Sequence, residues 1–138
     1  MIDKLHNPLT LAGRLLMAIL FLPAAISKLT HFGASVNYAA AGGMPMPEVG
    51  ISIAIAVELF GSLALIFGWQ TRWAALVLSV FTLAATLMFH NFWALPAAQA
   101  MLQQQAFMKN IAVIGGLLTL AAWGAGSLSL DARRGRAG

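Results

Sequence analysis

No cysteine occurs anywhere in the chain, which excludes disulfides, thiol redox chemistry and iron–sulfur clusters held by thiolates. Charge is almost as scarce. Asp, Glu, Lys and Arg make up 9% of the 138 residues, against about 25% in soluble domains. Hydrophobic residues reach 60% and are gathered into long blocks instead of amphipathic stripes, which excludes an ordinary soluble core and identifies a membrane protein. The net charge of +4 comes from cations scattered among those blocks, so no nucleic-acid-binding patch forms and nucleic acid is not an expected partner. A nucleotide-binding motif and a haem-ligand set are both missing. His6, His31 and His90 lack the spacing of metal ligands, and no metal is expected.

What the chain does contain is four apolar segments of spanning length, about 9–29, 49–69, 73–92 and 106–124. Each is close to the roughly 20 helical residues that cross a hydrocarbon core of about 30 Å. The expected fold is all-α: an integral membrane four-helix bundle forming a single transmembrane domain over residues 1–138. Asn7-Pro8 supplies a cap and a first-turn proline, Pro23 removes the partner of the Ile19 carbonyl and predicts a kink, and Gln70-Thr71-Arg72 permits only a tight antiparallel turn. Lys4, Arg14, Arg72, Arg133, Arg134 and Arg136 fall on one side of the spans, and Lys28 and Lys109 on the other. Positive loops stay inside, so both termini are expected to be cytoplasmic. The external loops, 30–48 and 93–105, are each long enough for a short interfacial helix capping the outer mouth. The first is interrupted by Gly42-Gly43-Met44-Pro45-Met46-Pro47. Trp69, Trp73 and Trp93 mark membrane interfaces, and Met44 and Met46 read as loop packing.

Glu58 has no ionisable neighbour within residues 49–69, and an acidic side chain near the midplane costs a few kcal/mol unless paired, protonated or hydrated. At helical spacing Arg14, Ala18, Phe21, Ala25 and Lys28 share a face, as do Ala54, Glu58, Gly61 and Leu65, then Ser79, Thr82, Thr86 and His90, then Lys109, Ala112 and Gly116. Lipid offers these polar groups no partners, so all four faces are expected to turn inward. A rise of about 1.5 Å per residue puts Arg14 roughly 8 Å inside the membrane edge, within plausible reach of Glu58. Lys28, His90 and Lys109 then ring the outer half. Such a site suits an anionic or carbonyl-bearing ligand. Glu58 is read as a proton acceptor or one half of a static ion pair, and His90 as a hydrogen-bonding and proton-passing group or an interfacial side chain. Lys109 with Asn110 either holds a carbonyl or anion or leaves Lys109 to snorkel. Arg14 and Lys28 carry the same alternatives, with snorkelling favoured for Lys28, and Trp93 is a candidate contact at the outer rim.

Arg14 with Phe21 and Ser27-Lys28-Leu29, Ala40 with Gly43-Met44-Pro45-Met46-Pro47, Glu58-Leu59-Phe60-Gly61, Phe67-Gly68 and Thr71-Arg72 follow one another in a specific order. Phe89-His90-Asn91-Phe92-Trp93, Phe107-Met108-Lys109-Asn110 and the ending Gly124-Ala125-Gly126-Ser127-Leu128-Ser129-Leu130-Asp131 complete the series. In this series, which covers nearly the whole chain, the sequence resembles the DoxX family of small four-helix bacterial inner-membrane proteins. The resemblance implies a multi-pass location in that membrane and quinone-linked redox chemistry, since relatives are linked to thiosulfate:quinone oxidoreductase and to membrane oxidoreductase complexes. Without a redox group of its own, this chain would be a quinone- or lipid-binding subunit working with an oxidoreductase partner. A small transporter or proton-coupled permease and a purely structural membrane partner remain the alternatives. Gly and Ala on several helix faces leave a homo-oligomer open as well.

Overall fold

The computed structural model describes residues 2–135, and Arg136, counted above among the cations, lies outside the described residues. Helix α1 (His6–Thr30) is followed by the short α2 (Phe32–Ala41), then α3 (Pro47–Phe67), α4 (Thr71–Phe89), α5 (Ala97–Trp123) and α6 (Leu130–Gly135). Single 3₁₀ turns occupy Ile2–Leu5 and Phe92–Ala94. Four of these helices, α1, α3, α4 and α5, are long and apolar enough to cross a membrane. The fold is thus the expected all-helical membrane bundle.

Local sequence explains most of the boundaries. Pro47 starts α3 at a position whose backbone N–H would be unpaired anyway, directly after Met46 in a left-handed conformation. Gly68 ends α3 with φ 65°, a left-handed value that glycine adopts without penalty. α1 runs unbroken through Pro23. It starts at His6, so Asn7 is not its cap; the Asn7 Oδ1 instead accepts a hydrogen bond from the Ser127 backbone N–H at 2.9 Å. The first external loop does contain a short helix, α2. The second holds the separate 3₁₀ turn at Phe92–Ala94, and Ala97 to Gln105 forms the opening turns of α5, a helix of 27 residues. Nothing between Ala97 and Phe107 breaks a helix, and its alanines and glutamines favour one, so the strongest local preference is simply to continue. At about 1.5 Å per residue α5 measures about 40 Å and outruns the hydrocarbon core.

Packing follows chain order. α1 lies mainly on α3, α3 on α4, and α4 on α5, while α1 and α5 scarcely touch. The core holds Ala18, Phe21, Leu65, Ala75, Leu78, Leu117 and Leu120. Outward-facing apolar side chains such as Leu16, Phe60 and Val80 are 67–69% exposed, a surface suited to lipid and not to water. The α3–α4 contact depends on Gly61, where a Cβ would stand 2.9 Å from Cγ and Cδ2 of the fully buried Leu78. Gly61→Val should therefore overpack this contact and cost about 1–3 kcal/mol, read as a lower unfolding midpoint in micelles. An unchanged midpoint would mean that the two helices can separate freely.

Three of the four inward faces appear as expected. Arg14, Ala18, Phe21 and Ala25 are buried on α1, Ala54, Glu58 and Leu65 on α3, and Ser79, Thr82 and Thr86 on α4. The fourth does not. On α5, Lys109 and Ala112 are exposed, and the inner face is made by Asn110, Val113, Leu117 and Leu120. A lysine is a poor guide to the buried side of a helix whose first turns extend past the bundle.

Candidate binding site

The carboxylate of Glu58 is paired with Lys28. Lys28 Nζ donates to Oε2 at 2.8 Å and to Oε1 at 3.0 Å, and Glu58 is 5% exposed. Helical spacing brings this about: the buried face of α1 that carries Arg14, Ala18, Phe21 and Ala25 continues one turn further to Lys28. Glu58 lies about 16 Å along α3 from Pro47, whereas Lys28 is only two residues from the end of α1. The end of α1 therefore sits beside the middle of α3, and α2 makes up the difference in height. Lys28 is turned inward instead of snorkelling, and it takes the position at Glu58 that Arg14 was expected to hold.

Beside the pair is a cavity of about 620 Å³ bounded by the end of α1, α2, α3 and α4. Ser27, Lys28, His31, Tyr38, Glu58 and His90 supply its polar groups, and Ile51, Ile53, Phe81 and Met88 its apolar walls. His90 is fixed by a 2.7 Å hydrogen bond between Nδ1 and Gln103 Oε1 on α5. Nδ1 of His31 lies 2.9 Å from Thr30 Oγ1 and 3.2 Å from the Ser27 carbonyl oxygen. Tyr38 stacks on Phe89 with ring centroids 5.5 Å apart, joining α2 to the end of α4. The combination is an amphipathic chamber: an ion pair and two imidazoles around apolar walls, suited to a molecule with a polar head and a lipid-soluble body.

Of the residues singled out from sequence, this cavity gathers Glu58, His90 and Lys28. The others lie elsewhere. Asn110 donates to Thr86 Oγ1 at 2.9 Å and ties α5 to α4. Lys109 is exposed, and Trp93 packs edge-on against Phe92 and Phe107 with most of its surface open. The hydroxyl stripe of α4 does not form an open polar path, because Ser79, Thr82 and Thr86 each donate to the carbonyl four residues back, at 2.6–2.8 Å. His31 and Tyr38 were missed. Their signal was present, since Lys28, His31, Ser35 and Tyr38 follow one another in steps of three and four residues across the α1–α2 break.

Arg14 is fully buried at the other end of the bundle. Its Nη2 donates to the Leu128 carbonyl in the segment after α5, while Nε and Nη1 have no hydrogen-bond partner among the described residues. The same segment returns to α4: the Asp131 carboxylate accepts from the backbone N–H groups of Gln70 at 2.7 Å and Thr71 at 2.9 Å, closing the helix N-terminus. The residues from Gly124 to Asp131 thus tie both termini and the α3–α4 turn together. Their place is structural, and it lies apart from the cavity.

Comparison with known proteins agrees with this architecture. The DoxX family model matches residues 9–91. The inner membrane protein YqjF of Escherichia coli (strain K12) is 37% identical over 93% of this chain and 93% of its own length. Inner membrane protein YphA of the same organism is 30% identical over 91% of this chain and 89% of its own. The ER-derived vesicles protein ERV29 of Saccharomyces cerevisiae is 24% identical over 96% of this chain, a stretch covering 36% of ERV29. No solved structure matches significantly. With more than half its residues matched by the family model and inner-membrane relatives aligned along nearly its full length, the chain belongs to the DoxX family and is an integral, multi-pass inner-membrane protein.

Proposed function

We propose that the protein binds the polar head of a membrane-soluble molecule, a quinone foremost, in the Lys28–Glu58 cavity, and serves as the quinone- or lipid-binding subunit of a membrane-associated oxidoreductase system. The observation that carries this reading is the placement of a buried, doubly hydrogen-bonded ion pair on the wall of a cavity that is otherwise mainly apolar. A pair serving only to fix helix register would be better stabilised by close packing than by an adjoining chamber of about 620 Å³. In this reading Lys28 donates to a carbonyl oxygen of the ligand, while Glu58 and His90 accept or return protons when that oxygen changes state. Electrons would pass between the quinone and a partner subunit, since the chain supplies no redox group of its own.

Purification in mild detergent followed by solvent extraction and mass spectrometry tests the proposal. The native protein should retain quinone at a constant ratio through successive purification steps. The double variant Lys28→Met/Glu58→Gln, which avoids leaving one charge unpaired, should retain at least about fivefold less, the loss of a hydrogen bond worth about 1 kcal/mol. Equal retention by a folded double variant, or none by the native protein, would remove the quinone from this cavity.

A further inference from the structure

A second cavity lies where α1 and α5 touch only lightly. It has a volume of about 540 Å³, and Leu9, Gly13, Met17, Gly116 and Leu120 give it apolar walls running along the spanning direction. Trp123 and Gly124 border it at the end of the bundle that carries the chain termini. The same two residues border a further hollow of about 390 Å³ that contains Arg72. The two spaces therefore adjoin at Trp123-Gly124. Gly124, at φ 84°, lets the arginine come close, since a Cβ there would stand 3.2 Å from Arg72 Nε. Arg72 is exposed and has no salt-bridge partner among the described residues. Asp131 shares the hollow, where each of its carboxylate oxygens accepts one backbone N–H, from Gln70 and from Thr71, and its single negative charge is outnumbered by the arginines around it. What faces outward there is a guanidinium, with exposed Arg133 and Arg134 close by in sequence.

We propose that these adjoining spaces bind one anionic phospholipid, with an acyl chain in the α1–α5 groove and its phosphate on Arg72. The groove lies within the spanning length of two helices, where a lipid chain is the natural filling, and the charge at its mouth selects an anionic head. The site is separate from the Lys28–Glu58 cavity, so its test does not depend on the quinone reading.

Gly13 makes the test clean. A Cβ added there meets nothing within 4 Å, so the position has open space beside it, and Gly13→Leu introduces a bulky side chain where Gly13 lines the groove. Native mass spectrometry of the full chain, titrated in mixed micelles with phosphatidylglycerol or with phosphatidylcholine of the same acyl chains, gives the readout. The native protein should take one phosphatidylglycerol about tenfold more tightly than phosphatidylcholine. Arg72→Gln should abolish that preference, Gly13→Leu should weaken binding of both lipids, and Arg133→Gln/Arg134→Gln should keep most of the preference. Equal binding of the two lipids, or a preference lost in the Arg133/Arg134 variant but kept in Arg72→Gln, overturns the proposal. So does a dimer that Gly13→Leu splits into monomers, because a second copy would then be what fills the groove.

Discussion

Replacing Lys28 by methionine is expected to lower the stability of the protein by about 3–5 kcal/mol, because it leaves the buried Glu58 carboxylate without its cation. Lys28 Nζ makes hydrogen bonds to both carboxylate oxygens, and Glu58 is only 5% exposed in a helix whose one other charged residue, Glu48, lies in its first turn. Inside a bilayer neither oxygen can turn to bulk water, and Ser62, the nearest hydroxyl along α3, spends its proton on the Leu59 carbonyl. The double variant Lys28→Met/Glu58→Met should recover most of the loss, since removing both charges also removes the desolvation each one carries. Unfolding of the native protein, both single variants and the double in the same micelles gives the coupling energy directly. Single variants as stable as the native protein would show that the pair contributes nothing. A double variant no more stable than the singles would mean that the side chains act through packing instead of charge.

The sequence made the bundle legible because spanning helices leave long apolar runs, and it made Glu58 legible because nothing else in its run ionises. Its partner was harder to read. Counting residues from each span's edge places Lys28 near the outer surface and Glu58 at the midplane, a count that assumes α1 and α3 end level with each other. They do not, since α2 takes up the difference in height, and only three-dimensional packing sets that offset. Arg14 was misassigned for a related reason. Its inward direction was correct, but its partner is a backbone carbonyl more than a hundred residues away, and carbonyls are uniform along a chain. The hydroxyls of Ser79, Thr82 and Thr86 show a further limit: periodicity tells which way a side chain points but not whether its own helix has already taken its hydrogen bond. His31 and Tyr38 were passed over because the turn at His31 interrupts the helix, even though their spacing continues the Lys28 face.

The second large effect is expected at Gly68, where alanine should cost about 2–5 kcal/mol and release the segment after α5. Two contributions add. A non-glycine residue in the left-handed conformation, here φ 65°, costs about 1–2 kcal/mol. A Cβ would also overlap both the Arg14 guanidinium and the Ser129 side chain, an overpacking worth about 1–3 kcal/mol. Neither neighbour can easily withdraw: Arg14 is fully buried and holds the Leu128 carbonyl, while Ser129 is 7% exposed and accepts from the Ala132 N–H at 3.1 Å. The Gly68 carbonyl itself accepts from the Asp131 N–H at 2.9 Å, so displacing Gly68 also draws away the carboxylate that closes the start of α4. Hydrogen–deuterium exchange separates these links. Gly68→Ala should speed exchange at both Ser127 and Asp131. Asp131→Ala should cost a smaller 0.5–2 kcal/mol, roughly one helix cap, and expose mainly Gln70 and Thr71 while Ser127 stays bonded to Asn7. If Gly68→Ala leaves exchange after α5 unchanged, then Arg14 and the α3–α4 turn do not hold that segment, and the buried guanidinium must be stabilised by something other than the Leu128 carbonyl.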